Sequence, residues 1–83
     1  MSSLKLDLHP IYNKGNLIEK ELNEILDKGI DLKIKQIEII TGKGSGQLKK
    51  KVLKFMEKTN KKDHIKRIDK DSKNFGRIFI YLK

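Results

Sequence analysis

The sequence has no cysteine and no tryptophan, only one proline, and five aromatic residues. Without cysteine it can form neither a disulfide framework nor a thiolate metal site. No apolar run approaches the roughly 18 residues that a membrane span requires. The amino-terminal stretch MSSLKLDLHP also lacks the apolar core of a signal peptide. We therefore expect a cytoplasmic protein that makes no membrane contact.

Acidic residues are scarce relative to basic ones. Lysine and arginine number 20 against 11 aspartates and glutamates, which gives a formal net charge of +9. A basic surface favours polyanions, so we expect a nucleic-acid partner, either RNA or DNA, including structured or ribosomal RNA. A chain of 83 residues suffices for one small core, and residues 1–83 are expected to form a single domain.

Apolar periodicity predicts four strands and two helices. Pro10 is expected to end the first strand, Asn16 and Glu19 to cap the first helix, with Asn13 as an alternative cap, and Gly29 to follow its last turn. The predicted elements are strands over 4–9, 34–41, 64–69 and 77–83, and helices over 16–28 and 47–58. The order β-α-β-α-β-β implies an α/β two-layer sandwich, with both helices on one face of a four-stranded mixed sheet and the other face partly open.

A glycine-rich loop, residues 42–46 (GKGSG), joins the second predicted strand to the second predicted helix. Glycines let a backbone bend around an anion, and a helix amino terminus adds positive potential. Lys43 adds a full charge, and Ser45 could cap the helix or donate to a phosphate oxygen. The spacing fits neither the Walker A pattern nor the dinucleotide fingerprint, so a phosphate here would belong to a polymer. The alternative is a tight strand–helix turn without a ligand.

Asp7 and His9 lie two residues apart on the first predicted strand, so both side chains project from the same face. A carboxylate in this position can orient a histidine and raise its basicity. If the first two strands are parallel, His9 and the glycine-rich loop share one edge of the sheet. The alternative is an ordinary surface carboxylate and histidine. His64, the other histidine, is interpreted as a surface residue.

The segments LDLH (6–9), IITGKGSG (39–46) and GRIFIYL (76–82), separated by predicted helices, resemble the Smr (small MutS-related) domain family. The resemblance spans roughly residues 4–83. It implies a sandwich similar to the C-terminal domain of translation initiation factor 3. It also implies DNA or RNA binding and, in several members, nicking or RNA-cleaving endonuclease activity. Members occur alone and at the end of MutS-like ATPases, so a larger MutS-like protein is one expected context.

By position, Asp7 and His9 match the Asp and His of the first family motif. Thr41, Gly42, Lys43 and Gly44 match the second. The family usually has glycine after that histidine, whereas this chain has Pro10. Proline fixes φ and removes an N–H that could meet a phosphate, which bears on cleavage more than on binding.

Three functions follow from these patterns. In a nuclease, His9 would act as general base or acid, oriented by Asp7, and the loop would stabilise charge on the phosphate. No metal cluster or cofactor is evident, and metal-independent cleavage is easier on RNA because its 2′-hydroxyl is an internal nucleophile. The residues expected to bind nucleic-acid phosphate are Thr41, Gly42, Lys43, Gly44, Ser45, Gly46, Lys49 and Lys50.

The second function is a nucleic-acid or ribosome binding module that does not cut. Its phosphate contacts would come from lysines of the loop and second helix, and the few aromatic residues form no clear stacking platform. The third is a protein adaptor that uses the open sheet face. Adaptor binding would change little with salt, whereas nucleic-acid binding would weaken steeply.

Overall fold

The structure, a computed structural model, describes residues 3–11, 13–42, 46–70 and 76–83. The predicted order of strands and helices is confirmed. The elements are β1 (Ser3–Asp7), α1 (Gly15–Asp31), β2 (Gln36–Ile40), α2 (Gln47–Lys58), β3 (Ile65–Lys70) and β4 (Arg77–Leu82), with short 3-10 helices at His9–Ile11 and Lys62–His64. Among these described residues, no helix is long and apolar enough to cross a membrane.

The four strands form one mixed sheet in the order β1-β2-β4-β3. Strands β1 and β2 are parallel, with Asp7 opposite Ile40, while β4 is antiparallel to both β2 and β3. The carboxyl ends of β1 and β2 therefore lie at the same edge of the sheet as the start of β4. This arrangement brings together segments that are far apart in the sequence.

Both helices pack on one face of the sheet, as predicted. The alternation in β2 and β4 turns every second residue toward the helices, and these side chains join the helical stripes in one core cluster. The fully or almost fully buried members are Leu8, Ile18, Leu22, Leu26, Ile37, Ile39, Val52, Met56, Ile78 and Ile80. On the opposite face Glu38, Phe79 and Tyr81 are half-buried. That face is partly open, as expected.

The capping prediction for the first helix is wrong. Helix α1 begins one residue earlier, with Lys14 at the N-cap and no side-chain capping bond. Gly29 lies inside the helix and is buried. A Cβ placed on Gly29 would lie 3.0 Å from Leu82 Cδ1 and 3.1 Å from Ile37 Cδ1. This glycine therefore allows α1 to approach the sheet closely, rather than ending the helix.

Helix α1 ends instead in a Schellman motif centred on Lys33. The Ile34 N–H donates to Gly29 O at 2.8 Å, and the Lys33 N–H donates to Ile30 O at 3.2 Å. Lys33 has a φ of 56°. This is the left-handed conformation, which is unfavourable for residues other than glycine. Ile34 is consequently held in the core, and β2 starts two residues later than predicted.

We expect Lys33→Gly to stabilise the protein by about 0.5–1 kcal/mol, because glycine adopts a positive φ without strain. Lys35→Gly is the matched control: it removes the same charge from an exposed residue that is not among those with positive φ. The control should lower the free energy of unfolding by a similar amount, because it adds freedom to the unfolded chain. Urea unfolding measures both. Equal destabilisation by the two variants would contradict the strain at Lys33.

Candidate functional site

The Asp7–His9 pair and the start of the glycine-rich loop lie close together where β1 and β2 end. Asp7 and Ile40 are the last paired residues, and the Leu8 N–H still donates to Ile40 O at 2.9 Å. Beyond this bond the two chains separate into the His9–Ile11 3-10 helix and the glycine-rich loop. We call the residues that converge here the rim, and they are Asp7, His9, Thr41, Gly42 and Gly76.

His9 packs directly against the first glycine of the loop. A Cβ placed on Gly42 would lie 2.5 Å from Cδ2 of the His9 ring. Gly42 also has a φ of +81°, which favours glycine for a second, independent reason. The parallel strands thus bring the imidazole into contact with the main chain of the loop, and only a residue without a side chain fits between them.

A third segment, just before β4, holds the start of the loop in place. Gly76 O accepts hydrogen bonds from the N–H groups of Thr41 and Gly42, at 2.7 and 3.2 Å. A Cβ placed on Gly76 would lie 3.2 Å from the carbonyl carbon of Gly42. Gly76 is not among the site residues predicted from the sequence. Two sequence signals could have found it: Gly76 opens the GRIFIYL segment of the family resemblance, and it directly precedes a strongly alternating strand.

The Asp7 carboxylate is engaged with the main chain beside the histidine. Its Oδ1 accepts a hydrogen bond from the His9 N–H at 2.9 Å. This contact is an Asx-turn, which fixes the backbone where the chain leaves β1. It also explains why β1 ends at Asp7 and not at His9. The Asp7 contact therefore positions the turn that carries His9, and the side chains of both residues are exposed.

The amino terminus of α2 adds hydrogen-bond donors on the loop side of the rim. Its N-cap is Gly46, which has no side chain to cap the helix, and the first turn has no acidic residue. The Lys50 N–H bonds to Gly46 O at 3.0 Å. The N–H groups of residues 47–49 precede that bond and have no acceptor one turn back within the helix. Together with the helix dipole they favour an anion.

Thr41 presents a buried hydroxyl next to the rim glycines. The residue is 4% exposed, and its Oγ1 has no hydrogen-bond partner among the described residues. Leaving a buried hydroxyl unpaired costs about 1–3 kcal/mol. A ligand oxygen that paired with this hydroxyl would recover part of that energy.

The remaining predicted residues lie around the loop. Lys49 is half-buried and Lys50 exposed, both near the start of α2. Lys43, Gly44 and Ser45 lie outside the described residues, and the N-cap of α2 is Gly46 rather than Ser45. Within the described ranges, no three His, Asp or Glu side chains are grouped as a shared metal site would require.

Arg77 is a cation near the rim that was not predicted as a site residue. It is the first residue of β4 and lies opposite Ile40 across the sheet. Its Nη1 is 2.8 Å from Glu38 Oε2, and 41% of its side chain is exposed. The partner carboxylate offsets its charge, so Arg77 contributes less to attracting an anion than an unpaired cation would.

The fold and the rim define a two-layer α/β domain in which a histidine meets a glycine-rich loop at a helix amino terminus. The family model of the Smr domain matches residues 6–83, and the chain belongs to this family. The structure is similar to the crystal structure of the Smr domain of Thermus thermophilus MutS2, with a TM-score of 0.72 and 14% sequence identity. The match covers 100% of this chain and 99% of that one, and at this identity it shows a shared fold. A comparison with curated proteins finds no match.

Proposed function

We propose that this Smr domain binds nucleic acid in the cytoplasm and cleaves RNA at the rim, alone or within a larger MutS-like protein. The observation that carries the proposal is the contact between the His9 ring and Gly42. It joins a side chain suited to proton transfer with a loop and helix terminus suited to a phosphate. Membership of the Smr family and the net charge of +9 support the same function.

In the proposed reaction the RNA supplies its own nucleophile. The His9 imidazole takes the proton of a 2′-hydroxyl, and the oxygen attacks the adjacent phosphorus. The bond from phosphorus to the 5′-oxygen breaks, and that oxygen takes a proton from water. The products are a 2′,3′-cyclic phosphate and a 5′-hydroxyl, and the proton on His9 returns to solvent.

The rim would stabilise the charge that develops on the phosphate. In our proposal the N–H groups at the start of α2 and the Thr41 hydroxyl donate to its oxygens. Lys49 and Lys50 bind neighbouring phosphates of the nucleic-acid backbone, and we assign the same task to Lys43, Gly44 and Ser45 of the glycine-rich loop. Asp7 acts as a positioning residue, because its bond to the His9 N–H holds the turn.

A cleavage assay in EDTA tests the proposal. Labelled RNA and DNA of the same sequence are incubated with the protein, and the ends of the products are determined. We expect RNA to be cut to fragments with 2′,3′-cyclic phosphate ends and DNA to stay intact, because DNA lacks the internal nucleophile. Binding without any cleavage, also when EDTA is left out, would refute the nuclease, and cleavage only when EDTA is left out would refute the metal-independent reaction.

A second candidate is a module that binds nucleic acid without cutting it. The observation that favours it is Pro10, which follows His9 in the 3-10 helix, is exposed and has no N–H to offer a phosphate. Binding that weakens with salt while every substrate stays intact would support this candidate. Binding insensitive to salt would instead point to a protein partner on the open sheet face.

A further inference from the structure

A groove of about 410 Å³ runs between the two helices. Each helix follows the carboxyl end of a strand, so both helices begin on the rim side and the groove leads away from it. Lys51 Nζ lies 3.5 Å from a Cβ placed on Gly15, which joins the two walls near the rim. The groove is lined by Gly15, Glu19, Lys51, Lys54, Phe55, Lys58 and Thr59.

The charge of the two helices is strongly unequal. Helix α2 carries five lysines against one glutamate, a net charge of +4. Helix α1 carries five acidic residues against two lysines, a net charge of −3. The positive charge of the helix layer is thus concentrated on α2, and Glu19 is the one acidic residue among the groove residues.

The three groove lysines have no competing partners within the described part of the chain. Ion pairs there involve Lys61 with Asp27 and Arg77 with Glu38, not Lys51, Lys54 or Lys58. The groove lysines recur along about 10 Å of helix, from the second turn of α2 to its end. A row of unpaired cations beside an aromatic side chain matches the way proteins follow a single nucleic-acid strand.

We propose that a single strand bound at the rim continues along this groove. Its phosphates contact Lys51, Lys54 and Lys58, and a base or ribose packs on Phe55. The inference rests on the proposed nucleic-acid binding at the rim. A single strand fits better than a duplex, because the groove has a volume of only about 410 Å³ and lies between two adjacent helices. Charge complementarity favours a polyanion, and continuity with the start of α2 favours the strand bound at the rim over other polyanions.

The proposed path of the strand along the groove can be tested by binding of single-stranded DNA. This DNA should stay intact, because it has no 2′-hydroxyl. Strands of about 4 and about 12 nucleotides are compared, because the longer one can reach beyond the rim. The triple variant Lys51→Gln, Lys54→Gln, Lys58→Gln keeps helix propensity nearly constant. We expect it to bind the longer strand about 10- to 100-fold more weakly at 0.1 M salt, with a salt slope about 2 smaller. Its binding of the shorter strand should match that of the wild type.

The matched control removes three exposed lysines that do not line the groove: Lys28→Gln, Lys35→Gln and Lys66→Gln. It changes the net charge equally and should bind the longer strand within about threefold of the wild type, since these lysines do not line the groove and salt screens exposed charges. Circular dichroism confirms that both variants are folded. An equal loss in both variants would show a general charge effect and overturn the path.

Removing the acidic residue of the groove should have the opposite effect. Glu19→Gln is expected to tighten binding of the longer strand about 2- to 5-fold, whereas Glu24→Gln, on another side of α1, should leave it unchanged.

A wild-type salt slope in the triple variant, with no gain in Glu19→Gln, would overturn the path and leave binding at the rim intact. Failure of the wild type to bind either strand, together with no cleavage of RNA, would refute the proposed function, and the path with it. Tighter binding of poly-glutamate than of DNA at the groove would assign it to an acidic protein and overturn the path.

Discussion

Replacing His9 by alanine is expected to slow RNA cleavage by about 10²- to 10⁴-fold, the usual contribution of a general acid or base. Binding of single-stranded DNA should stay within about threefold, since the phosphate contacts proposed here come from the loop and α2. His9 is exposed, so its removal should leave the core intact. Single-turnover cleavage and equilibrium binding, measured on the same preparation, separate the two effects.

The control for this variant is His64→Ala. His64 is also exposed and directly precedes β3, whose first residue Ile65 pairs with Leu82 at the end of the sheet opposite the rim. Its loss should leave cleavage unchanged. If His9→Ala cleaved RNA as fast as the wild type, His9 would not be the proton-transfer group. Equal loss in both variants would point to an indirect effect on the fold.

Gly42→Ala is expected to lower the free energy of unfolding by about 2–4 kcal/mol. A left-handed φ in alanine accounts for about 1–2 kcal/mol of this loss. The rest follows from the Cβ, which would lie 2.5 Å from Cδ2 of His9 and must displace the ring or the loop. The ring is proposed to transfer the proton and the loop to bind the phosphate, so displacing either should make cleavage fall together with stability. Urea unfolding and the cleavage assay measure the two losses.

Gly46→Ala is a closely matched control. Gly46 has a φ of +87°, almost the same as Gly42, but no described atom outside its chain neighbours lies within 4 Å of the added Cβ. Gly46→Ala should therefore lower the free energy of unfolding only by the cost of a left-handed φ in alanine, about 1–2 kcal/mol. In a His9→Ala background the excess loss at Gly42 should disappear, which a double-mutant cycle measures. An excess that persisted without the ring would place the obstruction elsewhere.

Much of the fold could be predicted from local pattern. Leucines at alternate positions in β1 and isoleucines in β4 placed the strands, and the spacing of Leu22, Leu26, Val52 and Met56 placed the helices. The end of α1 could not be read in this way. A glycine near the end of an apolar stripe fits both a cap and a close helix–sheet contact, and only the positions of Ile37 and Leu82 distinguish them. Nothing in the local sequence indicates that Lys33 adopts a left-handed φ.

The site was predictable as a set of residues but not as a set of contacts. Parallel strands implied that Asp7, His9 and the glycine-rich loop would lie at one edge. The packing of the ring on Gly42 and the bonds from Thr41 and Gly42 to Gly76 depend on where the loop meets β4, which no spacing rule gives. The Asp7 bond likewise goes to a main-chain N–H, because a short carboxylate reaches the amide two residues on.

The unequal charges of α1 and α2 have a consequence before any contact forms. The two helices lie on one face of the sheet, so the domain carries a dipole across its helix layer. In the electric field of a polyanion the domain rotates as it diffuses. The orientation in which α2 faces the polyanion has the lower energy. Encounters would then be biased toward the side where the rim and the lysine-lined groove begin. This rotational bias should weaken as added salt shortens the range of the field.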